Sequence, residues 1–211
     1  CSIVGAFFQL ASRRQAPFFR HLQMNYLESP KTNSHQIANQ LLNHGRLNES
    51  KKILTELLSE NPSDHVATHM FGLLAKKNKQ WNLAIAFFTR AIDTNGNYFA
   101  SYLERGLVNR KLGNLSNSIS AFTAALKIEP LSFEALNNRG ITFCQEGNSA
   151  QAIEDFSKAI ALKPNCTQTY FNRGLAKRLF GHTSAALDDY TRSITLDSKN
   201  YRALNNRAML H

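Results

Sequence analysis

FEALNNRGITFCQEGNSAQAIEDFSKAIALKPNC, from Phe133 to Cys166, carries two apolar stripes separated by a break. In its first half Leu136, Gly140 and Phe143 are spaced four and three, one face of a helix. Gly147 and Asn148 interrupt that pattern, as a glycine just past a helix C-terminus commonly does. In the second half Ala152, Phe156 and Ala159 repeat the four-and-three spacing. Pro164 then stops the helix, because proline has no backbone N–H to continue the ladder. The stretch predicts two short antiparallel helices, and neither can bury its apolar stripe alone.

Working outward by a constant offset of 34 residues, the same stretch recurs. Gly140 aligns with Gly174, Gly106 and Gly72, and with Ala38 and Ala208 at the two extremes. Twelve places later come Ser50, Ala84, Ser118, Ala152 and Ala186, then Leu54, Phe88, Phe122, Phe156 and Tyr190. Leu57, Ala91, Ala125, Ala159 and Ser193 follow three places on. A turn glycine stands seven places after the first in four units, at Gly45, Gly113, Gly147 and Gly181. Prolines close three of them, at Pro62, Pro130 and Pro164. The phrase ALNN at Ala135–Asn138 returns at Ala203–Asn206. Stacked copies of such a unit bury the stripes that one copy leaves exposed.

A unit of this length with these columns resembles the tetratricopeptide repeat. Five full units run 31–64, 65–98, 99–132, 133–166 and 167–200, with the first helix of a sixth at 201–211. The resemblance implies an all-α fold, a right-handed α-solenoid of stacked antiparallel helix pairs, spanning 31–211. It departs from the family just before the glycine, where Arg105, Arg139, Arg173 and Arg207 replace an apolar residue. Asp155 and Asp189 on the second helices are the expected partners, in structural ion pairs between helices. Asn109 and Lys177 replace an aromatic and predict looser packing in their two units.

Composition fits a folded chain: 211 residues, 43% apolar and 19% charged, with 25 Lys and Arg against 15 Asp and Glu. The net charge of +10 favours an acidic partner. Three cysteines, Cys1, Cys144 and Cys166, have no metal spacing and fit a reducing, cytoplasmic compartment. The sequons at Asn48, Asn114 and Asn165 read as chance matches. No apolar run reaches the ~18 residues of a membrane span. Residues 1–30 do not join the register and stay unassigned, as a degenerate repeat or a targeting remnant. Because the chain starts at Cys1 and ends at His211 inside a unit, a fragment of a longer protein is expected.

Enzymatic motifs are absent: there is no phosphate loop, nucleophile elbow or zinc-binding helix. No catalytic, cofactor or metal residue is assigned. His65 and His69, four apart, read as a surface pair. A binding face is easier to place. With ~100° per residue, the first helix of each unit buries places four, eight and eleven. The opposite side then holds places two, five, six, nine, twelve and thirteen. In the resembled family that side is similar to a concave lining that holds extended peptides.

Two features recur on this face. Asn138, Asn172 and Asn206, with Asn137 and Asn205 beside them, form a column able to donate to and accept from a peptide backbone. Lys76, Lys77, Arg110, Lys111 and Arg178 form a basic set near the ends of successive first helices. The lysine–asparagine set that co-chaperone relatives use to clamp a carboxylate is missing: the fifth places read His35, His69, Leu103, Asn137, Phe171 and Asn205. Binding of chaperone C-terminal tails is therefore disfavoured. Nucleic acid is disfavoured too, since charge by unit runs about 0, +3, +2, −1 and +2, with no continuous strip for a phosphate backbone. The sequence points to a non-catalytic scaffold that binds an extended or acidic protein segment in a groove. The alternative is the repeat region of a larger enzyme or transport-complex subunit.

Overall fold

The computed structural model describes residues 30–210. The readings made for the segment before Pro30 lie outside the described residues. Among the described residues there are eleven helices and no strand. They divide into two compact units at Pro62 and Ser63.

The first unit holds α1 (Pro30–Asn43) and α2 (Leu47–Glu60), packed on each other. Leu42 and Leu54 are buried between them, and the Ser50 hydroxyl donates to the Ala38 carbonyl at 2.9 Å. Ser118 makes the equivalent bond to the Gly106 carbonyl, also at 2.9 Å, in the second unit. A serine at this place therefore satisfies its hydroxyl on the facing helix, where the other copies carry alanine.

The second unit contains α3 (His65–Lys77), α4 (Trp81–Thr94), α5 (Phe99–Lys111), α6 (Leu115–Ile128), α7 (Phe133–Glu146), α8 (Ser149–Leu162), α9 (Thr167–Leu179), α10 (Thr183–Leu196) and α11 (Tyr201–Ala208). α5, α7 and α9 each pack on the helix before and the helix after, while α3 packs on α4 and α11 on α10. The result is an α-solenoid of stacked helix pairs, as the repeat implies.

The pairs are closed by one turn geometry. Gly147 sits at φ 91°, and the Asn148 N–H donates back to the Phe143 carbonyl at 2.8 Å. That is the hydrogen-bonded helix end which a left-handed residue permits. In the unit 65–98 the same place is Lys79, at φ 60°, with the Gln80 N–H donating to the Ala75 carbonyl at 2.9 Å.

On the even-numbered helices the expected stripe is the observed core. Ala84, Phe88 and Ala91, then Ser118, Phe122 and Ala125, and their copies on α8 and α10, have no exposed surface. The place-eight glycine admits the ring of the facing helix. An added Cβ would lie 2.6 Å from Phe122 Cε1 at Gly106 and 2.8 Å from Phe156 Cε1 at Gly140.

The odd-numbered helices correct the expected stripe. In α3, α5, α7 and α9 the buried places are three, eight and ten, with four and eleven buried only in some of them. Ala67, Ser101, Ala135, Thr169 and Ala203 fill place three, and Leu74, Val108, Thr142 and Ala176 fill place ten. α5, α7 and α9 are packed on two sides, so their buried face is wider than one helix pair requires.

The interhelix ion pairs form as expected. Arg139 reaches Asp155 through Nε and Nη2 at 2.7 and 2.8 Å, and its Nη1 donates to Thr123 on the preceding unit at 3.0 Å. Arg173 repeats this with Asp189 at 2.8 and 2.7 Å and with Ser157 at 3.1 Å. Each arginine thus ties its own pair together and staples it to the pair before. Arg105 faces Ala121 at the aspartate place. It keeps only the staple, to Thr89 at 3.3 Å, and lies over the Tyr102 ring at 5.4 Å.

The looser packing expected at Asn109 and Lys177 is not found. Asn109 is 5% exposed and donates its amide to the Arg105 carbonyl at 2.9 Å. Lys177 bends to Asp189 at 2.8 Å, so that carboxylate holds two cations.

Candidate functional site

Two hollows open in the second unit. The first is a cleft of about 500 Å³ at the C-terminal ends of α3 and α5. Lys76, Arg110 and Lys111 line it together with Trp81, Leu107, Val108 and Gln145. Lys111 Nζ stands 4.9 Å from the centre of the Trp81 ring, a cation–π distance. Lys76 Nζ meets the Glu104 carboxylate at 2.5 Å. Arg110 is half-buried, its Nη1 donating to the Asn138 carbonyl at 3.4 Å, and burial pushes its pKa down. Three cations with one carboxylate beside them make this end of the face electropositive.

The second hollow is smaller, about 260 Å³, and lies between α7 and α9. Its walls are apolar: Ile141, Cys144, Phe156, Leu175 and Leu179. Burial pushes the Cys144 thiol up to about 11, so it stays protonated and neutral at physiological pH. Asn172, Arg202 and Gln145 stand at the rim. Gln145 lines both hollows, which makes the two parts adjoin along one face.

The structure brings four of the sequence-predicted residues to these hollows: Lys76, Arg110 and Lys111 to the first and Asn172 to the second. The other six lie elsewhere. Lys77 and Asn205 are exposed. Asn137 is half-buried and accepts from Thr169 at 3.3 Å, joining two units. The asparagine column turns back on its own helices. Asn138 and Asn206 donate to the Glu134 and Arg202 carbonyls, each at 2.8 Å, and Asn172 accepts from Gln168 at 2.8 Å. The Arg178 Nε is buried beside the Tyr190 hydroxyl, and neither atom reaches hydrogen-bond geometry.

Trp81, Gln145 and the place-nine column were not singled out from the sequence. That column, Leu73, Leu107, Ile141 and Leu175, is half-buried along the face. Its signal was an apolar residue at a place counted as solvent-facing. The surface reading of the histidines is corrected as well. His69 is 7% exposed, bonded to the Ser101 hydroxyl at 2.9 Å, and His65 engages Asn95 at 3.0 Å. Burial first, and then the Lys76 and His65 charges, lower His69 to about 4. No group of three His, Cys, Asp or Glu able to hold a metal stands among the described residues. No helix among them is long and apolar enough to cross a membrane.

Two family models of the tetratricopeptide repeat match, over residues 133–166 and 99–130. No curated protein matches the chain. Among solved structures, YrrB, "a TPR protein with an unusual peptide-binding site", is similar at a TM-score of 0.74 and 17% identity, over 91% of this chain and 98% of that one. MamA is similar at 0.71 and 19%, over 81% and 93%. A tetratricopeptide repeat protein from Parabacteroides merdae is similar at 0.73 and 16%, over 85% and 71%. With five equivalent helix pairs, glycine-seated rings and matching repeat models, the chain is a tetratricopeptide-repeat protein.

Proposed function

We propose that this chain is a non-catalytic scaffold that holds an extended, acidic segment of a partner protein along the face bearing the two hollows. One observation carries the reading: Lys76, Arg110 and Lys111, at places twelve and thirteen of successive first helices, line a single cleft with Trp81. An indole face and three cations suit carboxylates carried on an extended backbone, which gains charge-assisted hydrogen bonds there. The half-buried apolar floor at Leu107 and Ile141 accepts the ligand's aliphatic stems. YrrB, with its peptide-binding site, offers a parallel use of the fold. The asparagine column adds polar contact through the side-chain oxygens of Asn138 and Asn206, whose amides bond their own helices. The domain is 31–211, with residues 1–30 outside the repeat register.

The test is selection of short random peptides displayed on a carrier, panned on the full chain and on the Arg110→Glu/Lys111→Glu double variant. Acidic peptides are expected to be enriched on the native chain and lost on the variant, whose helical circular dichroism stays native. Equal enrichment on both would refute the cleft as the binding site.

A further inference from the structure

The two hollows differ in chemistry and share a wall, and this sets what a ligand spanning both must look like. The first is ringed by cations. The second is lined by five apolar groups, and its 260 Å³ falls below the ~300–1,000 Å³ of sites that take a whole small molecule. That volume suits one large side chain. At its mouth Leu179 is 58% exposed, and Phe180 beside it is 50% exposed. Apolar surface left open around a concave site marks an interaction surface.

Resting on the groove reading above, we propose that the partner segment is bipartite: an acidic stretch over Lys76, Arg110 and Lys111, and one large apolar anchor seated among Ile141, Leu175 and Leu179. Helix order gives their approximate separation. The first hollow centres on α5 and the second lies between α7 and α9, one and a half first-helix steps apart. At roughly 8–10 Å per step this is about 12–15 Å. An extended chain rising ~3.3 Å per residue covers that in about four residues. Gln145, on the shared wall, faces the connecting backbone with both a donor and an acceptor. The cations choose an acidic partner over a neutral one, and the anchor chooses among acidic segments.

The peptides selected on the full chain test this directly. Winners are expected to pair acidic residues with one Phe, Trp, Leu or Ile about four residues away. Replacing that anchor by alanine in a synthesised winner is expected to weaken binding about tenfold or more, the worth of burying one large apolar side chain. Leu179→Asp, at a side chain already facing solvent, is expected to lose the anchor preference and keep the acidic one. Leu175→Trp, which fills the hollow, should do the same.

Acidic winners without an anchor, or with anchors at scattered distances, would overturn the bipartite ligand and leave the groove standing. Winners without acidic residues would overturn both. Concentration-dependent dimerisation that Leu179→Asp abolishes would seat a second copy of this chain in the hollow, and would also overturn the proposal.

Discussion

Replacing Gly72 by alanine sets two known effects against each other. In a free helix interior the change stabilises by about 1 kcal/mol, because glycine is the poorer helix former. Here the new methyl would overlap the Phe88 ring, reaching Cδ1 at 2.6 Å and Cζ at 3.0 Å. Carbon atoms settle at ~3.5–4.0 Å, so the ring must retreat by about 1 Å. Phe88 has no exposed surface and cannot do so without displacing its neighbours. Such overpacking costs about 1–3 kcal/mol, so the net effect is a loss of up to about 2 kcal/mol. The cost should fall along the chain, since the nearest ring atom lies 2.6 Å away at Gly106 and 2.8 Å away at Gly140. Urea unfolding of the full chain, with hydrogen exchange at the α3 and α4 amides as the local readout, measures it. Phe88→Leu in the same chain removes the obstacle, and the pair should then be less destabilised than the sum of the singles. If Gly72→Ala stabilises as it would in a free helix, or if the pair is additive, the glycine is not there to seat the ring.

Three further outcomes follow from the interior. Arg139→Leu and Asp155→Leu should each cost about 3–5 kcal/mol, because either leaves a buried charge alone, while the double change should recover most of the loss; singles costing under ~1 kcal/mol would show the pair to be dispensable. His69 has a folded pKa of about 4 against an ordinary 6.5. The unfolded chain therefore binds the extra proton, and stability present above pH 6.5 is lost as pH falls toward 4. Between pH 7.5 and 5 this amounts to about 2 kcal/mol, and His69→Leu should flatten that part of the urea-midpoint profile; an unchanged profile would contradict the burial assigned to the ring. Lys79→Gly should raise stability by about 1 kcal/mol by relieving the left-handed backbone at φ 60°, and a lowered unfolding midpoint would mean that the turn holds no such strain.

What could be read from the sequence was whatever every unit repeats for the same reason. The stripe of Ala152, Phe156 and Ala159 packs on its partner helix and on the first helix of the next repeat in the same way in each copy of the second unit, so its chemistry and spacing stay constant. The arginine–aspartate pairs were legible on the same ground: Arg139 and Asp155 are separated as Arg173 and Asp189 are, and a guanidinium beside a buried stripe needs a partner. Places three and ten were not legible. Their burial comes from the neighbouring unit, and contact with the bulk of another pair selects size rather than hydrophobicity, so Ser101, Thr142 and Thr169 stand where an apolar residue would have been noticed. His69 was misjudged for the same reason: a polar type at a place that a second neighbour covers. The groove failed in the opposite direction. Leu107, Ile141 and Leu175 look like core residues, yet they are only half-buried and line the two hollows. Trp81 joins the cleft from the start of α4 while Lys111 joins it from the end of α5. They stand thirty residues apart in the chain, within one unit's span, and no periodic argument pairs them. In a solenoid, then, sequence period reports the contacts that stacking repeats, and it is silent where successive units differ, as in the cations around α5 and the apolar hollow between α7 and α9.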